Sequence, residues 1–99
     1  MAEYQITYWR NFPSMVTARE GRRNTSKAEL SQRFQIAIDE AAMRLNLIGT
    51  DAYLEEWRKE SWQLCDGTPE EVAQTVAKTL ETEYPQARLL DMLREIKQG

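Results

Sequence analysis

No histidine occurs anywhere in these 99 residues, and cysteine occurs once. The first absence removes the commonest general base, the commonest metal ligand and every Ser-His or Cys-His nucleophile pair. The second forbids an internal disulfide, and Cys65 alone holds neither a zinc ion nor an iron–sulfur cluster. Four glycines (Gly21, Gly49, Gly67, Gly99) are too scattered to form a phosphate-cradling loop. No acidic loop has the spacing of a calcium site, so neither a metal nor a cofactor is expected. No apolar run approaches 18 residues, which predicts no membrane span. Met1-Ala2-Glu3-Tyr4 shows no basic stretch leading into an apolar one, so no secretory leader is expected and the reducing cytoplasm is the predicted compartment.

What is present is an ordinary globular composition, 41% hydrophobic and 29% charged, and its length suits one domain over residues 1–99. A chain this long buries roughly 60–65% of its unfolded surface, enough for one modest core. The net charge of −3 is unevenly spread. Arg10, Arg19, Arg22, Arg23 and Lys27 outweigh Glu3, Glu20 and Glu29 in the first thirty residues, while the remainder is acidic. An acidic chain is a poor match for nucleic acid, whose phosphates need a basic face to neutralise them.

Residues 4–9 alternate, with Tyr4, Ile6 and Tyr8 on one side and Gln5, Thr7 and Trp9 on the other, as in a strand. Asn11-Phe12-Pro13-Ser14 reads as a connection into a second strand, Met15 to Arg19, which makes an antiparallel hairpin. Gly21 to Lys27 is polar throughout and is expected to be a loop. Phe34, Ala37, Ile38, Ala41 and Leu45 form one helical stripe after Ser31, a candidate N-cap. A short helix is expected from Ala52 to about Lys59, and a third strand from Ser61 to Cys65 with Trp62 and Leu64 facing inward. Thr68-Pro69-Glu70-Glu71 is a strong helix start, with Thr68 as cap, proline at the first position and Glu71 completing a capping box. Pro85 breaks that helix, and Leu89, Leu90, Leu93 and Ile96 mark a last one. The fold class is therefore α+β: a small antiparallel sheet, built from the N-terminal hairpin and a possible third strand, with three to four helices on one face.

Several short blocks carry a resemblance. They are Tyr8-Trp9-Arg10-Asn11-Phe12-Pro13-Ser14-Met15-Val16, Arg19-Glu20-Gly21-Arg22-Arg23, the run from Arg33 to Arg44, and Gly49 to Trp57. In these the chain resembles the bacterial virulence factor domain family, also found in the larger conserved virulence factor C proteins, over roughly residues 4–60. The resemblance implies no reaction, cofactor or catalytic residue. In the larger relatives the domain accompanies an iron–sulfur-scaffold-like domain and helical repeats, which favours an accessory module over a free-standing enzyme.

Adjacent carboxylates occur at Asp39-Glu40, Glu55-Glu56 and Glu70-Glu71, but neighbours on a helix diverge by about 100° and make poor acid/base pairs. Glu70-Glu71 also has a structural task at a helix start. Cys65, just before a helix start, reads as a small hydrophobe. No catalytic residue is assigned. The binding candidates are Trp9 and Arg10 on the hairpin, with Arg19, Arg22, Arg23 and Lys27 at its far end and in the polar stretch. Arginine beside tryptophan is a common device for gripping carboxylates. The expected partner is another protein, with a small anionic ligand as the alternative.

Overall fold

The computed structural model describes residues 1–96. Its frame is an antiparallel sheet in which β1 (Ala2–Trp9) is the central strand. β2 (Phe12–Glu20) pairs along one side of β1, and β3 (Asn24–Glu29) pairs with β2 and forms the sheet's edge. On the other side β1 meets two short strands: β4 (Trp57–Lys59) against Thr7–Trp9, and β5 (Gln63–Cys65) against Ala2–Tyr4. Between them, the Glu60 amide donates to the Ile6 carbonyl at 3.1 Å and the Gln5 side chain donates to the Glu60 carbonyl at 2.9 Å. The segment from Trp57 to Cys65 thus behaves as one interrupted edge strand.

The hairpin is tighter than the expected connection of Asn11 to Ser14. Only Arg10 and Asn11 turn the chain, and β2 already begins at Phe12. A two-residue hairpin turn demands left-handed backbone, and Arg10 supplies it with φ 54°. Pro13 lies inside β2 because its missing N–H is not needed there. Thr7 faces Met15 and Tyr8 faces Pro13, so Ser14 is an extra residue, and β3 starts to pair only from Met15. Proline is accommodated at such bulges and unpaired edges.

The polar stretch after Gly21 is the largest departure from the expected layout. Gly21, at φ 70°, opens a turn through Arg23, and Asn24–Glu29 then form β3 rather than a loop. Only Ala28 of that strand is buried, so no apolar alternation betrays it. The backbone ladder to β2, from Met15↔Glu29 to Glu20↔Asn24, holds it in place.

Among the described residues there are four helices: α1 (Gln32–Arg44), α2 (Asp51–Glu55), α3 (Pro69–Glu83) and α4 (Gln86–Arg94). α3 lies across β1, β2 and β3, while α1 packs on β2 and α4. Beneath them sit Ile6, Val16, Ala18, Ala28, Phe34, Ile38, Val72, Leu80 and Leu89. The opposite sheet face carries cross-strand rows of Glu3, Arg19 and Thr25, and of Gln5, Thr17 and Lys27. The α+β expectation therefore agrees with the fold, with α1 and α3 over one face; α2 departs from the one-face expectation, because its Tyr53 packs on Trp9 from the other side.

Two local expectations change. The helix expected from Ala52 to Lys59 ends at Glu55, and its second half becomes β4. Leu64 faces Glu3 on the polar side of the sheet and is 70% exposed, so it does not point inward. Thr68 caps α3 as expected, accepting from the Glu71 amide at 3.2 Å. Ser31 precedes α1 without a side-chain cap bond; the Glu81 carboxylate of α3 takes the Ser31 amide at 2.6 Å and its hydroxyl at 2.8 Å. α1 has no acidic residue in its first turn, and Glu81 brings that negative charge from the neighbouring helix.

Candidate functional site

The six candidate residues do not form one patch. Arg10 sits at the β1–β2 turn, whereas Arg19, Arg22 and Arg23 cluster at the opposite end of β2. Nine strand residues separate those ends, about 27 Å at roughly 3.4 Å per residue.

Trp9 is fully buried and presents nothing to a partner. The sequence alternation places it opposite Ile6, yet Tyr53 of α2 covers it from that side. Their rings are 5.6 Å apart, and the indole N–H donates to the Tyr53 carbonyl at 3.0 Å. Trp57 stands edge-on to the same tyrosine at 6.2 Å. Arg10 is committed to neighbours: its guanidinium pairs with Glu56 at 3.0 Å, and its amide donates to the Glu56 carbonyl at 3.0 Å. Its distance to the Trp9 centroid, 5.9 Å, is at the outer limit of a cation–π contact.

The other end is different in character. Arg19 is half-exposed, paired with Glu3 at 3.0 Å and stacked over the Trp62 ring at 3.7 Å. Arg22, Arg23 and Lys27 are exposed, and none has a carboxylate partner among the described residues. Glu3, Arg19, Gly21, Arg22 and Thr25 line an open cleft of about 470 Å³. Lys27 belongs instead to a neighbouring groove of about 640 Å³ between the edge strand β3 and α3. Ala28 and Ala77 contribute its small apolar surface, and Lys78 and Gln74 rise from α3.

A further constellation escaped the sequence reading. Tyr8, Asn11, Arg58, Glu60, Tyr84, Arg88 and Met92 line a cleft of about 360 Å³ between β1, β4 and α4. Its residues come from three well-separated stretches of chain, 8–11, 58–60 and 84–92, so spacing alone cannot reveal it. Burial, with the Glu60 carboxylate behind it, pushes the Tyr8 phenol up to about 12. One signal was legible: Arg88 stands in the first turn of α4, against the helix dipole.

Cys65 is half-buried in β5, with its thiol near the Asp66 carbonyl at 3.7 Å. Among the described residues no group of three or more histidine, cysteine, aspartate or glutamate side chains could hold a metal ion. Among them too, no helix is long and apolar enough to cross a membrane.

Residues 7–93 match the family model described as "Virulence factor". The chain belongs to that family. The match extends beyond the residues that suggested the resemblance, through α3 and most of α4, so the groove beside β3 and the Tyr8 cleft both lie inside the family domain. No curated protein and no solved structure gives a significant match to the chain.

Proposed function

We propose that this virulence-factor domain is a non-catalytic accessory module of the cytoplasm that takes an extended, acidic segment of a partner protein along the free edge of β3. The carrying observation is the combination of an edge strand, an adjoining groove of about 640 Å³ under α3, and arginines without carboxylate partners at the strand's beginning. An edge strand presents unpaired backbone donors and acceptors, and an added strand satisfies them while placing alternate side chains in the neighbouring groove. The floor of Ala28 and Ala77 admits small or branched side chains. Arg22, Arg23, Lys27 and Lys78 outnumber the groove's two carboxylates, Glu29 and Glu81, and Arg33 already pairs with Glu81 at 2.9 Å, so acidic residues are favoured at the intervening positions. The alternative, a small anion in the cleft beside Arg19, is weakened by Glu3, which already occupies that guanidinium.

Fluorescence anisotropy with labelled octapeptides of alternating valine and glutamate tests this reading. Binding should be saturable, weaken as salt rises, and drop at least tenfold when Arg22 and Arg23 are both changed to glutamate. On binding, the β3 amides should become more protected from hydrogen exchange. Equal affinity for alternating valine and lysine peptides, or unchanged exchange along β3, would overturn it.

A further inference from the structure

From the cleft between β1, β4 and α4 we infer a separate binding site for a small organic carboxylate, held by Arg58 and Arg88. Each guanidinium is preorganised in the same way. Arg58 lies over the Tyr8 ring at 4.5 Å and donates its Nε–H to the Arg10 carbonyl at 2.9 Å. Arg88 lies over the Tyr84 ring at 4.0 Å and donates an Nη1–H to the Glu83 carbonyl at 2.8 Å. One donor and one flat face of each group are thus occupied, which fixes its orientation. The remaining N–H donors have no carboxylate partner among the described residues. A guanidinium has five donors in a rigid fork suited to a planar carboxylate.

The placement of Arg88 runs against local preference. A positive charge in the first turn of a helix opposes the macrodipole, and α4 has no acidic residue there to offset it. Its bond to the Glu83 carbonyl, at the end of α3, offsets part of that cost and holds the guanidinium at the cleft.

Glu60 decides the class of anion. It lines the same cleft, and its backbone is anchored on both sides by the Ile6 carbonyl and the Gln5 side chain. Two guanidiniums against one carboxylate leave the cleft a single positive charge, which balances a monocarboxylate. A phosphate dianion would set its second charge against Glu60 and is disfavoured. Met92 supplies an apolar wall for the ligand's body, and about 360 Å³ suits a small molecule. This site lies on β4 and α4, away from β3, so it stands independently of the peptide groove.

The test is a titration of the full chain with benzoate, followed by ¹H–¹⁵N spectra that include the arginine Nε–H signals. Saturable shifts are expected at Asn11, Arg58 and Arg88. Arg88→Gln and Arg58→Gln should each weaken binding roughly tenfold or more, since contacts to charged groups are the strong ones. Arg88→Lys should recover only part of the loss, because it restores charge without the fork. Arg88 is exposed, so its variants keep the fold, and their unchanged thermal melts would confirm this. Shifts that never saturate, or saturable binding indifferent to both glutamine variants, would remove the site. Inorganic phosphate binding as tightly as benzoate at matched ionic strength would overturn the carboxylate assignment.

Discussion

The guanidinium of Arg19 lies 3.7 Å above the ring of Trp62 while pairing with Glu3 at 3.0 Å. Trp62 belongs to no strand; it follows Ser61 and leads into β5, whose Leu64 and Gln63 pair with Glu3 and Tyr4. The stack therefore ties a loosely paired segment to β2 across the strand between them. Trp62→Ala should cost about 1 kcal/mol, the order of a part-exposed cation–π contact. Trp9→Ala should cost about 3–5 kcal/mol, because it empties a fully buried site. Urea denaturation of the two variants separates these magnitudes, and similar losses would contradict the half-buried placement of Trp62 under Arg19, which replaces the inward-facing one expected from the sequence.

Glu81 joins two helices rather than ornamenting one. Its carboxylate receives the Ser31 amide and hydroxyl at the start of α1 and also meets Arg33 at 2.9 Å. Glu81→Ala should cost about 1.5–3 kcal/mol, in line with hydrogen bonds to a charged group, and most of the loss should persist in high salt. Ser31→Ala, which removes the hydroxyl's bond to Glu81 at 2.8 Å and the one it accepts from Arg33 at 3.1 Å but keeps the amide bond, should cost less, on the order of 1 kcal/mol. Chemical denaturation at low and high salt measures both.

Gly67 adopts φ 121°, a conformation that side-chain-bearing residues scarcely reach. An added Cβ would meet Glu71 and Val72 at 3.5 Å, an ordinary contact, so strain rather than collision sets the penalty. Gly67→Ala should cost about 1–3 kcal/mol. In a domain of this size that lowers Tm by at least about 4 °C. A calorimetric melt unchanged within a degree would show that the turn before α3 can relax.

The Tyr8 phenol, pushed up to about 12 by burial and the Glu60 carboxylate, gives stability a dependence on alkaline pH. In the unfolded chain it releases its proton near 10. The contribution is thus complete below pH 10 and is lost as pH rises from 10 toward 12, because only the unfolded state deprotonates in that window. Tyr8 is half-buried, so solvent screening keeps the loss below what the shift alone implies. Urea midpoints at pH 9, 10.5 and 11.5 should fall more steeply for the wild type than for Tyr8→Phe. Parallel slopes would assign the alkaline loss to other groups.

The core residues most visible in the sequence behave as their spacing requires. Phe34 lies on the buried stripe of α1 and is 1% exposed, so Phe34→Ala should cost about 3–5 kcal/mol. Removing the Thr68 cap bond should cost only about 1 kcal/mol. Thermal denaturation of the two variants should reproduce that order.

Helices were legible because their signals are local. The stripe of Phe34, Ala37, Ile38 and Ala41 and the Thr68-Pro69 start are contained within a few turns of chain, and the structure keeps both. The β1 alternation was readable for the same reason, as was the absence of histidine and of paired cysteines, which no folding can alter. Tertiary structure alone decided the fate of Asn24–Glu29, whose polar residues become a strand only because β2 supplies a backbone ladder. It alone turned the end of the α2 segment into β4, where pairing with β1 overrides helical spacing. It split the arginine candidates between two ends of one strand, and it assembled Tyr8, Arg58, Tyr84 and Arg88 from distant segments. Periodicity records which face of an element seeks burial; which segments meet is fixed by long-range pairing and packing, and no short window of residues contains that information.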